Sequence, residues 1–506
     1  MRHARRKAQW GRLDEGVFDV AVVGGGINGA SVYHQLCSEG YRVLLVDKAD
    51  FAGGTSQASA MFIWGGLLYL RNLEFRAVAR FCRAREQMVR DLPEWVRVLP
   101  VRYMPSRGDA RSPAFVLAAL YLYWLLGAFR RSRPRWERDC DERALFGADR
   151  SRGSMVYEEA HVVPSDVNLV LHFVLSHQGP GQVAINYCCL KGGVYDWGAR
   201  AWRLELSDGL GGRQGVGRAR LVVNAAGVWT DRINDRFGIQ TAFKHVLSKG
   251  VFIGIPRDPR LVTPLIIETR QDQDCMSLIP WGPVALWGPT ETIADDPESG
   301  FRVDPEDIRL LLDELNRNLA RQITPTDVVC LRCGVRPLAV KRSFTPGPST
   351  LGLSKDVRIE RDRGVPWVSV YGGKITGCLP AARTVARLVR EVVPPTGPLP
   401  VPTAPPRPAY EGFPGLAERV VSARFAAEQQ WCWTLEDYLR RRSNISQWVA
   451  RGGLGRDDEN IPHLLDLARA FTDGDEVLAQ EAVDAYRKGV DRDFDRVLAS
   501  SGVVRA

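Results

Sequence analysis

The 506-residue chain has few of the features that identify secreted, nucleic-acid-binding or metal-binding proteins. Residues 1–16 are basic but have no apolar core of the kind that a secretory signal requires, which favours a cytoplasmic location. The ten cysteines are scattered, and the one C-x-x-C spacing, Cys330 and Cys333, has no second pair, so we expect a reducing compartment and no metal site. No nucleic-acid-binding motif accompanies the basic clusters at residues 1–12 and 130–138, and we interpret these clusters as solvated or membrane-facing surfaces.

Residues 112–129 (SPAFVLAALYLYWLLGAF) form an uncharged run at the lower edge of membrane-spanning length. Aromatic residues stand near its middle, where a spanning helix prefers aliphatic ones, and arginines follow it: Tyr121, Tyr123 and Trp124, then Arg130, Arg131, Arg133 and Arg135. We favour a buried helix of a cap domain. Peripheral membrane contact through residues 112–135 and a spanning helix remain the alternatives.

The N-terminal region has the pattern of a dinucleotide-binding βαβ unit. Residues 18–23 predict a strand, residues 27–39 a helix that stops at Gly40, and residues 41–46 a second buried strand. Between strand and helix lies G-x-G-x-x-G, in which each glycine has its own role: Gly24 makes the tight turn, Gly26 lets the backbone approach a pyrophosphate and Gly29 lets helix and strand pack closely. Asp47 ends the second strand, where its carboxylate can accept hydrogen bonds from a ribose.

A small, hydroxyl-rich loop follows at residues 51–60 (FAGGTSQASA). Its Thr55, Ser56 and Ser59 could donate hydrogen bonds to pyrophosphate oxygens, although an ordinary polar loop has the same composition. Two more junctions of a strand with glycine, residues 221–231 and 367–376, predict one α/β domain that a second, largely β, domain interrupts.

The C-terminal part of the chain is separated by a proline-rich linker. Eight of the fifteen residues 394–408 are proline, which excludes a helix or a central strand. Beyond the linker the pattern is helical, and Thr434 and Asp437 have the spacing of a capping box ahead of a helix over residues 435–442.

The chain resembles the FAD-dependent glycerol-3-phosphate dehydrogenases, within the D-amino-acid-oxidase-like flavoproteins. The matching stretches are DVAVVGGGINGA, GTSQASAMFIWGGLLYLRNLEFR, VVNAAGVW, IPWGPVALWGPTE, CGVRPL, SVYGGKIT and, more faintly, AAEQQWCWTLEDYLRRR. They occur in the family's order over nearly the whole chain. The resemblance implies an enzyme in which an alcohol carbon delivers hydride to flavin N5, with quinone or oxygen as the electron acceptor.

The resemblance also implies the domain limits and the FAD-binding residues. We expect a discontinuous Rossmann-like FAD-binding domain (residues 17–90, 160–245 and 325–393), a β-rich substrate cap (91–159 and 246–324) and a small all-α C-terminal domain (409–506). The expected FAD-binding residues are Gly24, Gly26, Ile27, Asn28, Gly29, Asp47, Lys48, Thr55, Ser56, Ser59, Ala225, Gly227, Trp229, Gly373, Lys374, Ile375 and Thr376.

The substrate side departs from the family pattern. The family loop HGGLRYL has a histidine near the reacting end of the substrate and an arginine near its phosphate, and here these are Trp64 and Leu68. A family lysine is replaced by Met61, and a family histidine corresponds to Phe252. The cationic residues Arg336 and Lys374 are retained. An arginine–phosphate bond contributes about 1.5 to 3 kcal/mol, so these combined losses point to a pocket remodelled for another ligand.

We therefore expect the substrate to be a bulkier or less charged alcohol or amine that keeps one anionic group for Arg336 and Lys374, and the candidate catalytic residues are Arg336, Lys374 and Tyr69. The alternative is that other residues bind the phosphate of the family's substrate. Arg336 could instead hold a loop carbonyl, and Lys374 could serve the flavin. His245, an odd number of residues before Phe252 on a predicted strand, points to the opposite face and is interpreted as structural. An amine or amino-acid oxidase and a flavin-binding protein without catalysis are the alternative functions.

Overall fold

Two large sheets form the frame of the molecule. The computed structural model describes residues 2–14, 16–106, 109–147, 153–269, 275–345, 347, 350, 353–399 and 407–502. In chain order the strands are β1 Phe18–Val23, β2 Val43–Val46, β3 Phe62–Ile63, β4 Val96–Tyr103, β5 Arg135–Glu137, β6 Ser154–Val162, β7 Gln182–Ile185, β8 Cys188–Asp196, β9 Ala201–Asp208, β10 Gln214–Asn224, β11 Phe243–Pro256, β12 Leu265–Glu268, β13 Cys275–Trp281, β14 Val284–Gly288, β15 Thr292–Ala294, β16 Cys330–Lys341, β17 Val357–Arg361, β18 Trp367–Gly372, β19 Tyr410–Glu411 and β20 Val420–Val421.

The helices surround these sheets and form most of the C-terminal part. They are α1 Arg2–Gly11, α2 Ile27–Ser38, α3 Phe75–Asp91, α4 Pro113–Leu126, α5 Asp166–Leu175, α6 Thr230–Arg236, α7 Pro305–Asn316, α8 Cys378–Arg390, α9 Ala423–Gln429, α10 Leu435–Asp437, α11 Ile445–Trp448, α12 Ile461–Ala468, α13 Glu476–Val490 and α14 Arg496–Ser500.

The first sheet has the strand order β17-β18-β10-β1-β2-β7, with β8 and β9 attached through β10. Strands β18, β10, β1, β2 and β7 are parallel. All six residues of β1 are buried, as expected for a central strand covered on both faces. Helix α2 packs between α5 and α8 on this sheet. The βαβ unit predicted from the sequence is therefore present, although its second strand begins at Val43 rather than at residue 41.

The second sheet has the order β15-β11-β14-β13-β12-β4-β6-β3, with β16 paired to β11 and β5 to β6. Strand β16 pairs with β11 along its whole length, from Phe243 opposite Lys341 to Gly254 opposite Cys330. It lies within residues 325–393, and β3 lies within residues 17–90, both assigned from sequence to the FAD-binding domain. The observed pairing moves both strands to the second sheet, because a local apolar pattern predicts a strand without indicating its partner.

The C-terminal part is a small helical unit with its own core, which includes Phe413, Tyr438, Leu464 and Phe471. The predicted capping box is confirmed: the Thr434 hydroxyl accepts from the Asp437 backbone N–H, and the Asp437 carboxylate accepts from the Thr434 backbone N–H. After Asp437 the predicted helix continues as a π-helical turn, Tyr438–Arg442.

The basic N-terminus differs from expectation. Arg6, which the sequence placed on a solvated or membrane-facing surface, is buried in α1 and forms a 2.7 Å ion pair with Asp208. Such a charge is stable inside a protein only when it is paired, and the partner lies on a strand about 200 residues away, where no local pattern can reveal it.

Helix α4 covers most of the uncharged run at residues 112–129. Val116, Leu120 and Tyr123 are buried, whereas Phe115 and Leu125 are exposed, so the helix is only half covered by the protein. None of the helices in the described part of the chain combines the length and apolar character that crossing a bilayer requires.

Candidate functional site

Four parallel strands of the first sheet end at one edge. The loops that follow β1, β2, β10 and β18 all border a single cavity of about 950 Å³. A crevice beyond the carboxyl ends of parallel strands is where open α/β sheets bind their ligands. The second sheet contributes the opposite wall through residues such as Phe252 on β11 and Arg336 on β16.

Most residues that the sequence proposed for the site border this cavity. They are Gly24, Gly26, Ile27, Asn28, Asp47, Lys48, Thr55, Ser56, Ser59, Trp64, Leu68, Tyr69, Ala225, Gly227, Trp229, Phe252, Arg336, Gly373, Lys374, Ile375 and Thr376. Gly29 and Met61 are not among the lining residues. Gly29 has the packing role instead, because a Cβ there would lie 1.8 Å from the Gly24 carbonyl oxygen, and Met61 is fully buried.

The glycine turn after β1 leaves the amino end of α2 open to the cavity. Gly24 has φ +104°, and a Cβ on it would lie 2.5 Å from the Ala225 carbonyl oxygen, so only glycine fits between β1 and β10. Gly26 is the N-cap of α2 and provides no side-chain cap. The Ile27 amide donates to Ser56 Oγ at 2.9 Å. The dipole and the N-terminal amides of α2 therefore favour an anion at this place.

Asp47 lies at the end of β2 and is held by two backbone amides. Its Oδ2 accepts from Gly25 N at 2.6 Å and its Oδ1 from Ala49 N at 2.9 Å. Burial raises the pKa of Asp47 to about 6, and the two N–H bonds oppose this rise. Each carboxylate oxygen has a second lone pair that these bonds leave available for hydroxyl donors.

The hydroxyls of the loop after β2 divide into two kinds. The Thr55 hydroxyl donates to the Val335 carbonyl, and the Ser59 hydroxyl donates to Asp166 Oδ2 at 2.9 Å, an oxygen that also pairs with the buried Arg332. Both hydroxyl hydrogens are therefore used within the protein, where they connect the loop after β2, directly or through Asp166, with strand β16 of the second sheet. Ser56 accepts from the α2 amide, and that bond leaves its own hydrogen for an anion.

Aromatic and charged side chains pack together beside the loops that follow β2 and β10. Lys48 Nζ lies 3.8 Å from the ring centroid of Trp229, and the Trp229 indole N–H donates to Glu298 at 2.9 Å. Trp229 also stacks on Phe301 at 5.6 Å between ring centroids. Glu298 and Phe301 belong to the segment predicted as the cap, so the cap closes over this end of the cavity.

The loop after β18 connects both sheets. Asn28 Nδ2 donates to the Gly372 carbonyl at 3.0 Å, and the Thr376 hydroxyl donates to the Trp64 carbonyl at 3.1 Å. His245 Nε2 accepts from the Gly372 amide at 3.1 Å, and its Nδ1 lies 3.2 Å from Asp231. His245 thus positions the loop, in agreement with its interpretation as structural. The turn Ile375–Gly377 then leads into α8 without a side-chain cap.

Three cationic side chains and one carboxylate meet beside this loop. Lys355 Nζ lies 3.1 Å and Arg336 Nη1 3.8 Å from Glu291 Oε2. Arg336 also donates to Ser248 Oγ at 3.2 Å, and it fits because a Cβ on Gly250 would lie 2.3 Å from its guanidinium. Burial raises the pKa of Glu291, but the charges of Lys355 and Arg336 more than offset this and lower it overall.

Lys374 is half-buried and borders the cavity next to these charges. Desolvation, followed by the charge of Lys355, lowers its pKa to about 7. Its Nζ lies 4.4 Å from the ring centroid of Tyr69, which stacks on Phe81 at 5.4 Å. Burial raises the pKa of Tyr69, so its phenol stays protonated at neutral pH. Lys374 therefore changes charge near neutrality at this end of the cavity, whereas Asp47, with a pKa of about 6, lies at the end of β2.

Two of these charged residues were not found from the sequence. Glu291 is the last residue of the matched stretch IPWGPVALWGPTE, and a carboxylate that ends a motif beside predicted cations was an available signal. Lys355 lies in a segment without any motif, and only the fold brings it to Glu291.

Comparison with known proteins agrees with this geometry. Residues 19–388 match the DAO family, described as FAD dependent oxidoreductase. Glycerol-3-phosphate dehydrogenase 2 of Mycobacterium tuberculosis is 30% identical over 382 residues, which cover 74% of this chain and 63% of that protein, so the matched part is less than two thirds of the relative. D-erythritol 1-phosphate dehydrogenase of Brucella abortus is 28% identical over 366 residues, covering 71% and 70%.

A solved structure extends the likeness to the whole fold. The glycerol-3-phosphate dehydrogenase of Bacillus halodurans, complexed with FAD, superposes with a TM-score of 0.72 over 97% of this chain and 98% of its own, at 18% identity. The predicted fold class, a Rossmann-like domain with a β-rich cap and a helical C-terminal domain, is confirmed.

Proposed function

Because the chain belongs to the DAO family of FAD-dependent oxidoreductases, we propose that it oxidises the C–OH group of a small molecule and passes the electrons to quinone or oxygen. FAD, when bound, supplies the acceptor for the hydride of the substrate carbon. The observation that carries the proposal is Lys374: an amine with a pKa of about 7 beside the cations Arg336 and Lys355, on a loop that borders the cofactor cavity.

The residues of the cavity wall suit FAD. The open amino end of α2 and the Ser56 hydroxyl would hold its pyrophosphate, and Asp47 would accept from its ribose hydroxyls. Residues 373–376, which lead into and begin the uncapped turn before α8, would provide N–H groups to the flavin end. Gly24 supports this assignment, since the close approach of β1 and β10 leaves no room for a side chain in the turn.

Lys374 would act on the substrate hydroxyl. Above its pKa of about 7 the amine is neutral and can accept the hydroxyl proton as the carbon loses hydride. Arg336 and Lys355 would hold an anionic group of the substrate, since both border the cavity next to Lys374. Tyr69 would orient the amine through its ring face.

We further propose that glycerol 3-phosphate is not the substrate. Trp64, Leu68 and Phe252 border the cavity where the family has two histidines and an arginine, so a bulkier or less charged alcohol that keeps one anionic group fits better. The relatives themselves include enzymes named for two different polyol phosphates at similar identity, so similarity alone leaves the substrate open.

The test is reduction of the bound flavin, followed as bleaching at about 450 nm. A panel of alcohols, hydroxy acids, amines and glycerol 3-phosphate is mixed with the FAD-loaded protein without oxygen. Bleaching by bulky alcohols supports the proposal. Fast bleaching by glycerol 3-phosphate contradicts the substrate assignment, and bleaching by amines or amino acids alone, with Arg336 holding a carboxylate, favours an oxidase of C–N bonds. Flavin that no substrate reduces, and that neither oxygen nor quinone reoxidises after dithionite, indicates a binding protein.

We also propose peripheral contact with the inner face of the cell membrane. The support is a surface with exposed Phe115, Leu125 and Phe129 beside the exposed Arg130 and Arg133, a combination of apolar anchors and positive charge that suits anionic lipid. Co-sedimentation with vesicles tests it. We expect binding to vesicles with anionic lipid, and loss of that binding in Leu125→Glu/Phe129→Glu. Equal recovery in the supernatant with and without anionic vesicles would contradict it.

A further inference from the structure

The outer part of the cavity is lined by apolar side chains from two elements. Phe115, Ala118, Ala119 and Leu122 lie on one face of α4, at the i, i+3, i+4, i+7 spacing, and all four border the cavity. Facing segments supply Leu68, Leu73 and Phe75, which border it as well. Several of these side chains are exposed to a degree that is unusual for their size: 62% for Phe115, 70% for Leu73 and 51% for Leu68.

Exposed apolar residues are usually scattered over a protein surface, and a contiguous group marks a binding site. Here the group surrounds the opening of a cavity whose inner part has the cations Arg336, Lys355 and Lys374. Tyr69 joins the two parts, because it follows Leu68 in the chain and its ring contacts Lys374 Nζ. One continuous cavity is therefore cationic inside and mostly apolar at its mouth, where Arg71 and Arg111 also border it.

The two walls of the mouth are held in place. Gly65 must be glycine, since a Cβ there would lie 2.0 Å from the Tyr123 hydroxyl of α4. The Gly65 amide donates to Glu159 Oε2 at 3.2 Å, and the Tyr123 hydroxyl donates to the other oxygen of the same carboxylate. Glu159 thus connects α4 with the loop that contains Leu68, so the apolar passage exists before a ligand arrives.

We propose that the substrate is an amphiphile: an anionic head group pairs with Arg336 and Lys355, and an apolar chain leaves the cavity between α4 and residues 67–75. The inference deepens the proposed function and rests on it for the oxidation step. The charge pattern favours this occupant, because a small polar molecule would leave the apolar mouth unused and a neutral lipid would bring no negative charge to the cationic residues that border the inner cavity.

Binding of n-alkyl phosphates to the FAD-loaded protein tests the inference without any chemistry, since these probes have no alcohol to oxidise. We compare ethyl, butyl, hexyl and octyl phosphate by calorimetry, below the concentration at which they aggregate. Each methylene buried in the passage strengthens binding roughly threefold to fourfold. We expect affinity to rise with chain length in this way. Affinity that does not change from ethyl to octyl would overturn the inference.

Two variants locate the passage. Leu73→Arg places a charge at the mouth, and Ala119→Trp fills it; either should abolish the gain with chain length while ethyl phosphate still binds. Leu478→Arg, the same change at an exposed leucine of α13 that does not border the cavity, is the matched control and should keep the gain. A gain that survives both mouth variants would overturn the inference.

Flavin reduction by 1-O-alkyl-glycerol 3-phosphates separates this inference from the proposed function. Faster reduction with longer alkyl chains supports both. Alkyl phosphates that bind in a chain-dependent way, with no reduction by any alkyl-glycerol phosphate or other alcohol, would uphold the amphiphile site and contradict the oxidase function. If short alcohols reduce the flavin and longer alkyl chains do not increase the rate, the oxidase function is upheld and the amphiphile site is contradicted.

Discussion

The ammonium group of Lys374 connects the fold with the proposed chemistry at the scale of single residues. Its low pKa depends on burial and on Lys355, which is nineteen positions earlier in the chain and has no sequence motif. The sequence could nominate Lys374 from the stretch SVYGGKIT. It could not predict the protonation state, because that state depends on the distances to charges that only the fold brings together.

We expect the rate of flavin reduction to follow this pKa. Lys374 is a base only when neutral, so the rate should rise as pH increases through about 7 and then level off. Lys374→Met should lower the rate at pH 8 by roughly 10²- to 10⁴-fold, the usual contribution of a positioned base, and should remove the rise. Stopped-flow reduction between pH 5.5 and about 9 measures both. A variant that keeps the rise would assign it to another group.

Burial of the Lys374 amine should also lower the free energy of unfolding of the apoprotein relative to a variant with an apolar side chain at this position. The pKa of Lys374 is about 7 in the folded state and near its ordinary value of 10.5 in the unfolded state. Between these values the unfolded state binds more protons, so the contribution of Lys374 to stability rises with pH, and below about 7 its cost is constant. Lys374→Met should therefore raise the melting temperature most at pH 7 or below, with a smaller gain toward pH 10. An equal gain at every pH would contradict the burial of this amine.

Asp47 offers a separate test of the cofactor end. Removing its carboxylate in Asp47→Ala should weaken FAD binding roughly tenfold to a hundredfold, since a hydrogen bond to a charged group contributes about 1.5 to 3 kcal/mol. Titration of the apoprotein, followed by flavin fluorescence, measures the dissociation constant. The control is Asp139→Ala, whose side chain is 96% exposed and should have no effect. Unchanged FAD affinity in Asp47→Ala would remove this residue from the cofactor site.

At the scale of elements, the sequence predicted local units well and their partners poorly. The strand Phe18–Val23, the helix from Ile27 and the capping box at Thr434 depend on neighbours a few residues away, and all three are present. The pairing of strand β16 was not predicted, because its partner, β11, is more than seventy residues earlier in the chain. The charged residues Arg85 and Glu159 had no signal at all, since charges on amphipathic elements usually face solvent.

These two charges help to link α4 with the loop that contains Gly65 and Leu68. Glu159 and Arg85 are almost fully buried and lie 2.7 Å apart. Glu159→Gln should destabilise the protein by about 3 to 5 kcal/mol, the cost expected for breaking a buried pair, because the remaining partner of Arg85, Glu86, is shared with Arg131. Thermal unfolding measures the loss, and hydrogen exchange in α4 should show it first.

The double variant Arg85→Met/Glu159→Leu is the control for this prediction. Apolar residues of similar size leave no unpaired charge, so the double variant should be more stable than Glu159→Gln. If the double variant is instead less stable than Glu159→Gln, the prediction is wrong, and the attraction between Arg85 and Glu159 exceeds the free-energy cost of burying the two charges.

At the scale of the whole molecule, the C-terminal unit is held on the first sheet by buried charge. Asp50, three residues after Asp47, accepts from Arg441 Nε at 2.6 Å and from both terminal nitrogens of Arg442 at 2.9 Å. Asn186 completes this contact, since its amide donates to Asp50 and to the Trp431 carbonyl. The loop that carries the predicted ribose carboxylate is therefore also the loop on which the C-terminal unit rests.

We expect Asp50→Ala to loosen that unit. Without its carboxylate, Arg442 loses its anionic partner and Arg441 keeps only the acidic groups of its own segment, a cost of about 3 to 5 kcal/mol. The variant should unfold at lower temperature, be cleaved faster by protease, and bind FAD more weakly because the loop of Asp47 is no longer supported.

The control is Arg496→Ala, which breaks an exposed pair with Asp491 of a kind that contributes about 0 to 1 kcal/mol. If both variants melt and are cleaved alike, the buried contact does not hold the C-terminal unit, and its position must depend on the apolar packing alone.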